Sequence, residues 1–183
     1  PFYDHTSSLP DEETERELYK ITDDILSKSG YHRYEISNYA KSGYQCAHNT
    51  VYWKRGEYVG FGIGAASLVD NVRFKNTEDM ECYLSGQDVR PEIQSLSVKE
   101  QMEEYMFLGL RLTEGIKEED FKETFGWPIE EIYPGVVEKF VKQGLLSYKP
   151  GDKPGAGCIA LTEYGLDVSN VVMAEFLLSD ESV

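Results

Sequence analysis

The sequence has no close-set pair of cysteines. Cys46, Cys82 and Cys158 stand far apart along 183 residues, so no thiolate couple seeds a zinc or iron–sulfur site. An odd count without a pairing pattern also argues against a secreted disulfide framework. The three read as reduced structural thiols in a cytoplasmic protein. Positive charge is scarce as well: 18 Lys and Arg face 33 Asp and Glu, for a formal charge of −15. Such a chain repels phosphate backbones and anionic membranes and has no basic stripe to offset the repulsion, which argues against nucleic acid as a partner. No apolar run reaches membrane-spanning length. The start, Pro1-Phe2-Tyr3-Asp4-His5, has neither an initiating Met nor a signal-peptide core, so the chain reads as soluble and as a piece of a longer one. Internal repeats and low-complexity segments are missing too. What is present suffices for a core, since 40% of the residues are hydrophobic and they include 13 Tyr, 8 Phe and 2 Trp.

Pro10-Asp11-Glu12-Glu13 opens a helix with acidic residues at its positive end. Leu18, Ile21 and Ile25 recur on one face, which predicts that this face is buried, and Gly30 supplies a left-handed stop. Tyr31 to Ile36 suits a strand, making a helix-then-strand unit of the kind that builds parallel sheets. From 37 to 76 short hydrophobic pieces alternate with Gly, Asn and Ser. Val69 to Phe74 predicts a hairpin around Asp70-Asn71, and Thr77 to Leu84 a short helix. From Pro91 a separate helical unit is expected. Ser97-Val98-Lys99-Glu100 is a capping box for a helix from about 98 to 111. Lys117 to Phe125 forms a second helix closed by Gly126, and Pro128 opens a third that runs to Gly144, with Ile132, Val136, Val137, Phe140 and Val141 facing inward. Strands at 145–149 and 158–161 follow around a Pro/Gly loop, and Thr162 caps a last helix through Leu178. Helices followed by a two-stranded wing predict a winged-helix arrangement. Its third helix carries Glu130, Glu131 and Glu138 against Lys139 and Lys142, too little positive charge for a DNA groove.

Three places carry residue types that can do chemistry. His48-Asn49-Thr50-Val51-Tyr52-Trp53 combines an imidazole with an amide and two aromatic rings. That set suits a planar tetrapyrrole, which needs an axial donor for its iron and flat apolar surfaces for its faces; a hydrogen-bonded structural histidine is the alternative. Glu35, with Ser37 and Asn38 after it, stands where a parallel strand would end. It can serve as acid, base or acceptor for a ligand hydroxyl, or pair with Arg33 or Lys41. Gly60-Phe61-Gly62-Ile63-Gly64-Ala65-Ala66-Ser67 has almost no side-chain bulk, which either packs two backbones closely or lets a ligand approach the backbone.

In order along the chain, Tyr34 to Ala40, His48 to Trp53, Gly60 to Ser67, Phe107-Leu108-Gly109-Leu110-Arg111, Gly144-Leu145-Leu146 and Leu161-Thr162-Glu163-Tyr164-Gly165-Leu166 resemble the oxygen-independent coproporphyrinogen III oxidase family of radical S-adenosylmethionine proteins. The resemblance covers essentially the whole chain, and the His-Asn-x-x-Tyr-Trp hexapeptide is similar to that of the family's haem-chaperone branch. The resemblance implies an α+β fold. Residues 1–90 would be the end of a radical S-adenosylmethionine (β/α) barrel with a β-hairpin extension, and 91–183 a winged-helix-like C-terminal domain. It implies haem held at His48 as iron ligand, among Asn49, Tyr52 and Trp53, and passed to an acceptor protein. It also implies S-adenosylmethionine beside Gly62, Gly64, Ala65 and Ala66, with Glu35 and Asn38 on the substrate side. The family's Cys-x3-Cys-x2-Cys loop is not in this sequence, so the four-iron cluster belongs to the full-length parent, and no catalytic residue is expected here. Two other functions stay open: oxidative decarboxylation of coproporphyrinogen III by the parent, and an acidic protein-interaction module.

Overall fold

The computed structural model describes residues 9–86, 90, 92–149 and 157–178. Their contacts divide the chain into two compact units, residues 1–45 and 46–183.

In the first unit, α1 (Glu12–Lys28) is capped by Asp11, whose carboxylate accepts the Thr14 N–H; Glu12, Glu13 and Glu15 occupy the first turn and Lys28 the last. This charge order complements the helix dipole. The apolar stripe Leu18, Ile21 and Ile25, expected to be buried, is exposed. Among the described residues the rest of the unit is a two-strand hairpin, which offers no second layer to cover it. The expected strand Tyr31–Ile36 is also shorter. Only β1 (His32–Arg33) is extended, and it pairs antiparallel with β2 (Tyr39–Ala40), His32 opposite Ala40. The cause is local: the Tyr34 N–H donates to the Asn38 carbonyl at 3.1 Å, and the Glu35 carboxylate accepts from the Ser37 N–H and the Asn38 side chain. Those bonds turn the chain back on itself before a longer strand can form.

The second unit opens with α2 (Ala47–Trp53) and continues into the hairpin β3 (Ala66–Val69) and β4 (Val72–Lys75). Its turn is the expected one. Asp70 and Asn71 have φ of 50° and 59°, the two left-handed positions of the tight turn that matches strand twist. α3 (Met80–Leu84) is shorter than expected, because Asp79 caps it by accepting the Cys82 N–H. β5 (Glu92–Ser95) then adds a third strand antiparallel to β4, Phe74 opposite Ile93. The segment after residue 90 thus returns to the hairpin sheet before the helices begin.

α4 (Val98–Gly109) carries the complete capping box between Ser97 and Glu100. Then come β6 (Ile116–Lys117), α5 (Glu118–Phe125, closed by left-handed Gly126), α6 (Ile129–Ile132) and α7 (Val136–Lys142). The continuous helix expected over 128–144 is broken in two. Pro134 has no N–H to give to the preceding turn, and Gly135 sits at φ 73° with its N–H donated to Glu130 Oε1. The break turns Tyr133 into the core and leaves Val141, expected to face inward, 37% exposed. β7 (Leu146–Lys149) and β8 (Cys158–Leu161) form an antiparallel pair, and β6 joins it, giving the order β6-β8-β7. The last expected helix is also two, α8 (Glu163–Asp167) and α9 (Ser169–Ala174), separated at Val168.

The core of this unit joins Met102 and Met106 of α4 and its C-cap Leu110 to Phe121, Tyr133, Phe140, Ile159 and Phe176. Aromatic edges meet faces through it, Tyr105 on Phe121 and Tyr133 on Phe176. Each such buried side chain contributes roughly 1.5–3 kcal/mol. Among the described residues no helix is long and apolar enough to cross a membrane.

On α7 both lysines are engaged by carboxylates, Lys139 with Glu175 at 2.7 Å and Lys142 with Glu138 at 2.6 Å. Duplex DNA at moderate salt is therefore expected to give no mobility shift with micromolar protein. A salt-dependent shift would contradict the charge argument.

Candidate functional site

α2 is short, and its N-cap, Cys46, makes no side-chain bond to it. The helix nonetheless fixes the geometry of the hexapeptide. His48 and Tyr52, four residues apart, share one face: His48 Nε2 and Tyr52 Oη are 3.0 Å apart and the rings meet edge to face at 4.8 Å. Tyr52 in turn meets Tyr58 edge to face at 4.6 Å. An exposed imidazole is thus steadied from one side by a phenol that is itself steadied by a second ring. Asn49 is half-buried. Trp53 does not join this group: the Arg111 guanidinium carbon lies 4.3 Å from the centre of its ring, a cation–π stack that ties the end of α2 to the end of α4. Trp53 also lines a cleft of about 360 Å³ with Tyr105, Leu112, Ile116 and Cys158.

The glycine-rich loop answers its two readings position by position. A Cβ at Gly60 would stand 2.2 Å from the Ala66 carbonyl oxygen, so Gly60 is needed for backbone packing. The Asn76 side-chain amide donates to the carbonyls of Gly60 and Gly62, and the Gly60 N–H donates to Ser67 Oγ. At Gly62, φ is 104° and nothing lies within 4 Å of a built Cβ; its N–H donates to Tyr83 Oη at 2.9 Å. Gly64 is left-handed at φ 65°, Ala65 is half-buried and Ala66 is exposed. Phe61, between Gly60 and Gly62, is 87% exposed.

Glu35 and Asn38 are brought together in the first unit, with Glu35 fully buried and Oε1 accepting from Asn38 and from the Ser37 N–H. Arg33 lies 3.5 Å from Asp23 and donates to Tyr39 Oη, and Lys41 lies over the Tyr31 ring.

Sequence reasoning missed a buried ionic cluster. Glu104 on α4 accepts from Arg55 Nε at 3.2 Å and pairs with Arg73 Nη1 at 2.7 Å. Arg55, at φ 54°, also donates to Asn71 Oδ1 at 2.8 Å. The cluster fastens the loop after α2 and the β3–β4 hairpin to α4, and the carboxylate holds the Arg73 guanidinium above its ordinary pKa. No sequence signal marks it, since a Glu between helical Met residues reads as a surface position.

Among the described residues no group of three or more His, Cys, Asp or Glu is placed to hold a metal ion, and none of the three cysteines is in a disulfide. The residues present do not fit a four-iron cluster. Anaerobic reconstitution of this chain with iron and sulfide is expected to leave no thiolate charge-transfer band; stoichiometric cluster iron would refute that.

Residues 96–151 match the HemN C-terminal domain. The heme chaperone HemW of Lactococcus lactis is 36% identical over 174 residues, covering 94% of this chain and 44% of that protein. The heme chaperone HemW of Bacillus subtilis is 33% identical, covering 92% of this chain and again 44% of its own length. The chain therefore spans less than half the length of these relatives. Its fold matches the solved structure of coproporphyrinogen III oxidase (HemN) from Escherichia coli, a radical SAM enzyme, with a TM-score of 0.71 over 94% of this chain and 43% of that one at 13% identity. Similar to HemW proteins along nearly all of its length and carrying the HemN C-terminal domain, the chain belongs to the HemN/HemW family.

Proposed function

We propose that this chain is the haem-presenting part of a haem-chaperone-like protein, with His48 as the iron ligand and an acceptor protein as the destination. The observation that carries the reading is the exposed imidazole on α2 with one ring nitrogen held by Tyr52. A ligating histidine needs one nitrogen for the metal and a partner that fixes the other. With the proton on Nε2 and donated to Tyr52 Oη, the lone pair resides on Nδ1, and the neutral imidazole is set up as a donor. Tyr52 and Tyr58 supply apolar ring surface beside it. On the same reading Gly62, Gly64, Ala65 and Ala66 border S-adenosylmethionine, and Glu35 and Asn38 face the substrate side. Residues 1–90 form the barrel end with its hairpin, and the helices from α4 onward with the β6-β8-β7 sheet form a winged-helix-like domain. Haem would bring an iron that takes one axial nitrogen; this chain's residues supply and orient that nitrogen. The relatives named for haem chaperoning favour this over decarboxylation in the parent.

The test uses the full-length protein and haem absorption. His48→Ala is expected to abolish or strongly weaken the Soret shift while His32→Ala leaves it unchanged. Tyr52→Phe, which keeps the ring and removes the oxygen, is expected to weaken binding about tenfold, the usual cost of losing a ligand's outer partner. Equal affinity and identical spectra for wild type and His48→Ala would make His48 structural and end this reading.

A further inference from the structure

The second unit carries a groove of about 530 Å³ along α6, α7 and the edge strand β7, on elements that the haem reading does not use. Its floor is apolar. Val137 is buried, whereas Val141 and the ring of Tyr148 are 37% and 46% exposed. They are apolar surfaces open to solvent in a concave site, where a side chain entering from outside would lose water on several sides.

The rim decides what can enter. Glu118, Glu130 and Glu138 line the groove, with Lys142 as the cation among its lining residues. Each carboxylate is positioned: Glu118 accepts the Tyr148 hydroxyl, Glu130 accepts the Gly135 N–H, and Glu138 pairs with Lys142. The ion pair neutralises Lys142 and leaves Glu118 and Glu130 as excess negative charge beside the apolar floor. A chain of formal charge −15 reinforces that field and repels nucleic acid, anionic lipid and a second copy of itself. We infer that this groove docks a basic amphipathic segment of a partner protein, seating an apolar side chain on Val137, Val141 and Tyr148 and pairing Lys or Arg with the carboxylates of the rim. Buried apolar contact then supplies the hold, and the charges set orientation and approach rate.

The experiment must separate a built groove from bulk attraction between an acidic protein and any basic peptide. The probe is a short fluorescein-labelled peptide with Lys and Leu arranged on a helical period, against a Glu/Leu peptide of the same pattern, read by anisotropy on the full-length protein. The Lys/Leu peptide is expected to bind and the Glu/Leu peptide to fail. Val141→Glu is the deciding variant, because it adds negative charge while spoiling the apolar floor. Docking in the groove predicts that it weakens binding about tenfold, since the new carboxylate is desolvated under the apolar side chain. Bulk attraction predicts tightening. Removing charge by Glu130→Gln with Glu138→Gln is expected to weaken binding about tenfold. Glu13→Gln with Glu17→Gln on exposed α1, which does not line the groove, is expected to change it less than about twofold, as solvent and salt screen exposed charges that make no contact with the peptide. Tightening or no change with Val141→Glu, or equal losses from the two double variants, would overturn the inference. So would a concentration-dependent dimer that Val141→Glu dissolves, since the groove would then hold a second copy. None of these readouts involves haem, so they are independent of the fate of His48.

Discussion

Glu104→Ala is expected to lower the unfolding free energy by about 3 kcal/mol. The substitution leaves Arg55 and Arg73 facing each other without the carboxylate that holds both, and breaking a buried pair costs about 3–5 kcal/mol because the remaining charge is uncompensated. The lower end applies because the Arg73 side chain is 37% exposed and water can reach it. Glu104→Gln keeps an acceptor oxygen and is expected to lose about half as much. The converse substitution makes the argument sharper. Replacing Arg55, Arg73 and Glu104 together by Met, Met and Leu is expected to come out within about 1 kcal/mol of wild type, since desolvation of the ions offsets most of their attraction. Urea unfolding with an unchanged slope measures all three. If Glu104→Ala shifts stability by less than about 0.5 kcal/mol, the cluster is not buried in solution as described.

Gly165→Ala is expected to cost about 3 kcal/mol by a different route, steric instead of ionic. Thr162 caps α8 by accepting the Gly165 N–H at 2.9 Å, and its hydroxyl donates to the Gly144 carbonyl at 2.7 Å. These bonds bring the first turn of α8 onto the chain entering β7, and a Cβ at Gly165 would stand 1.9 Å from the Leu145 carbonyl oxygen. Backbone cannot yield as a flexible side chain does, so α8 must lift and the Thr162 bonds must lengthen; overpacking of this kind costs about 1–3 kcal/mol, and the cap adds to it. Gly126→Ala is a useful comparison. Gly126 is left-handed at φ 87° but has open space around it, so its cost is conformational alone, about 1 kcal/mol. A Gly165 variant no less stable than the Gly126 variant would refute the contact.

Both positions show how far residues can be read in advance. The Asp70-Asn71 turn and the Ser97/Glu100 box were legible because each is closed within a few residues and its energetics are local. Gly126 as a helix stop is another such case. The break at Tyr133-Pro134-Gly135 was overrun because the apolar spacing on either side continues in phase, and only burial of Tyr133 in the core shows why two short helices suit better than one. α2 was not anticipated as a helix: it is short and lacks a side-chain cap bond, and tertiary contacts through Trp53 and Tyr52 hold it instead. The sequence therefore offers the hexapeptide as residue types without a geometry, and the structure joins His48 to Tyr52 while Trp53 stacks on Arg111. Their i, i+4 pairing follows only once the helix is known. Strand β5 failed for the opposite reason, since its partner β4 is chosen at long range, and the apolar spacing of α1 does not say whether any layer covers that face. Glu104 belongs with them, because nothing in its neighbours announces two arginines from distant segments.

The opposed placement of His48 and Trp53 on α2 has a spectroscopic consequence. Five residues apart on a helix, they point about 140° from each other, and the helix is only about 10–12 Å across. Haem bound at His48 would therefore quench Trp53 emission by energy transfer through the helix, without touching the indole or disturbing its stack on Arg111. The sequence has 2 tryptophans, and the other, Trp127, lies beyond α5. In a form whose sole tryptophan is Trp53, a haem titration followed by fluorescence lifetime would report the separation of iron and indole directly. A Trp53→Phe substitution would darken that signal while leaving the Soret band in place, separating the reporter from the ligand in one pair of measurements.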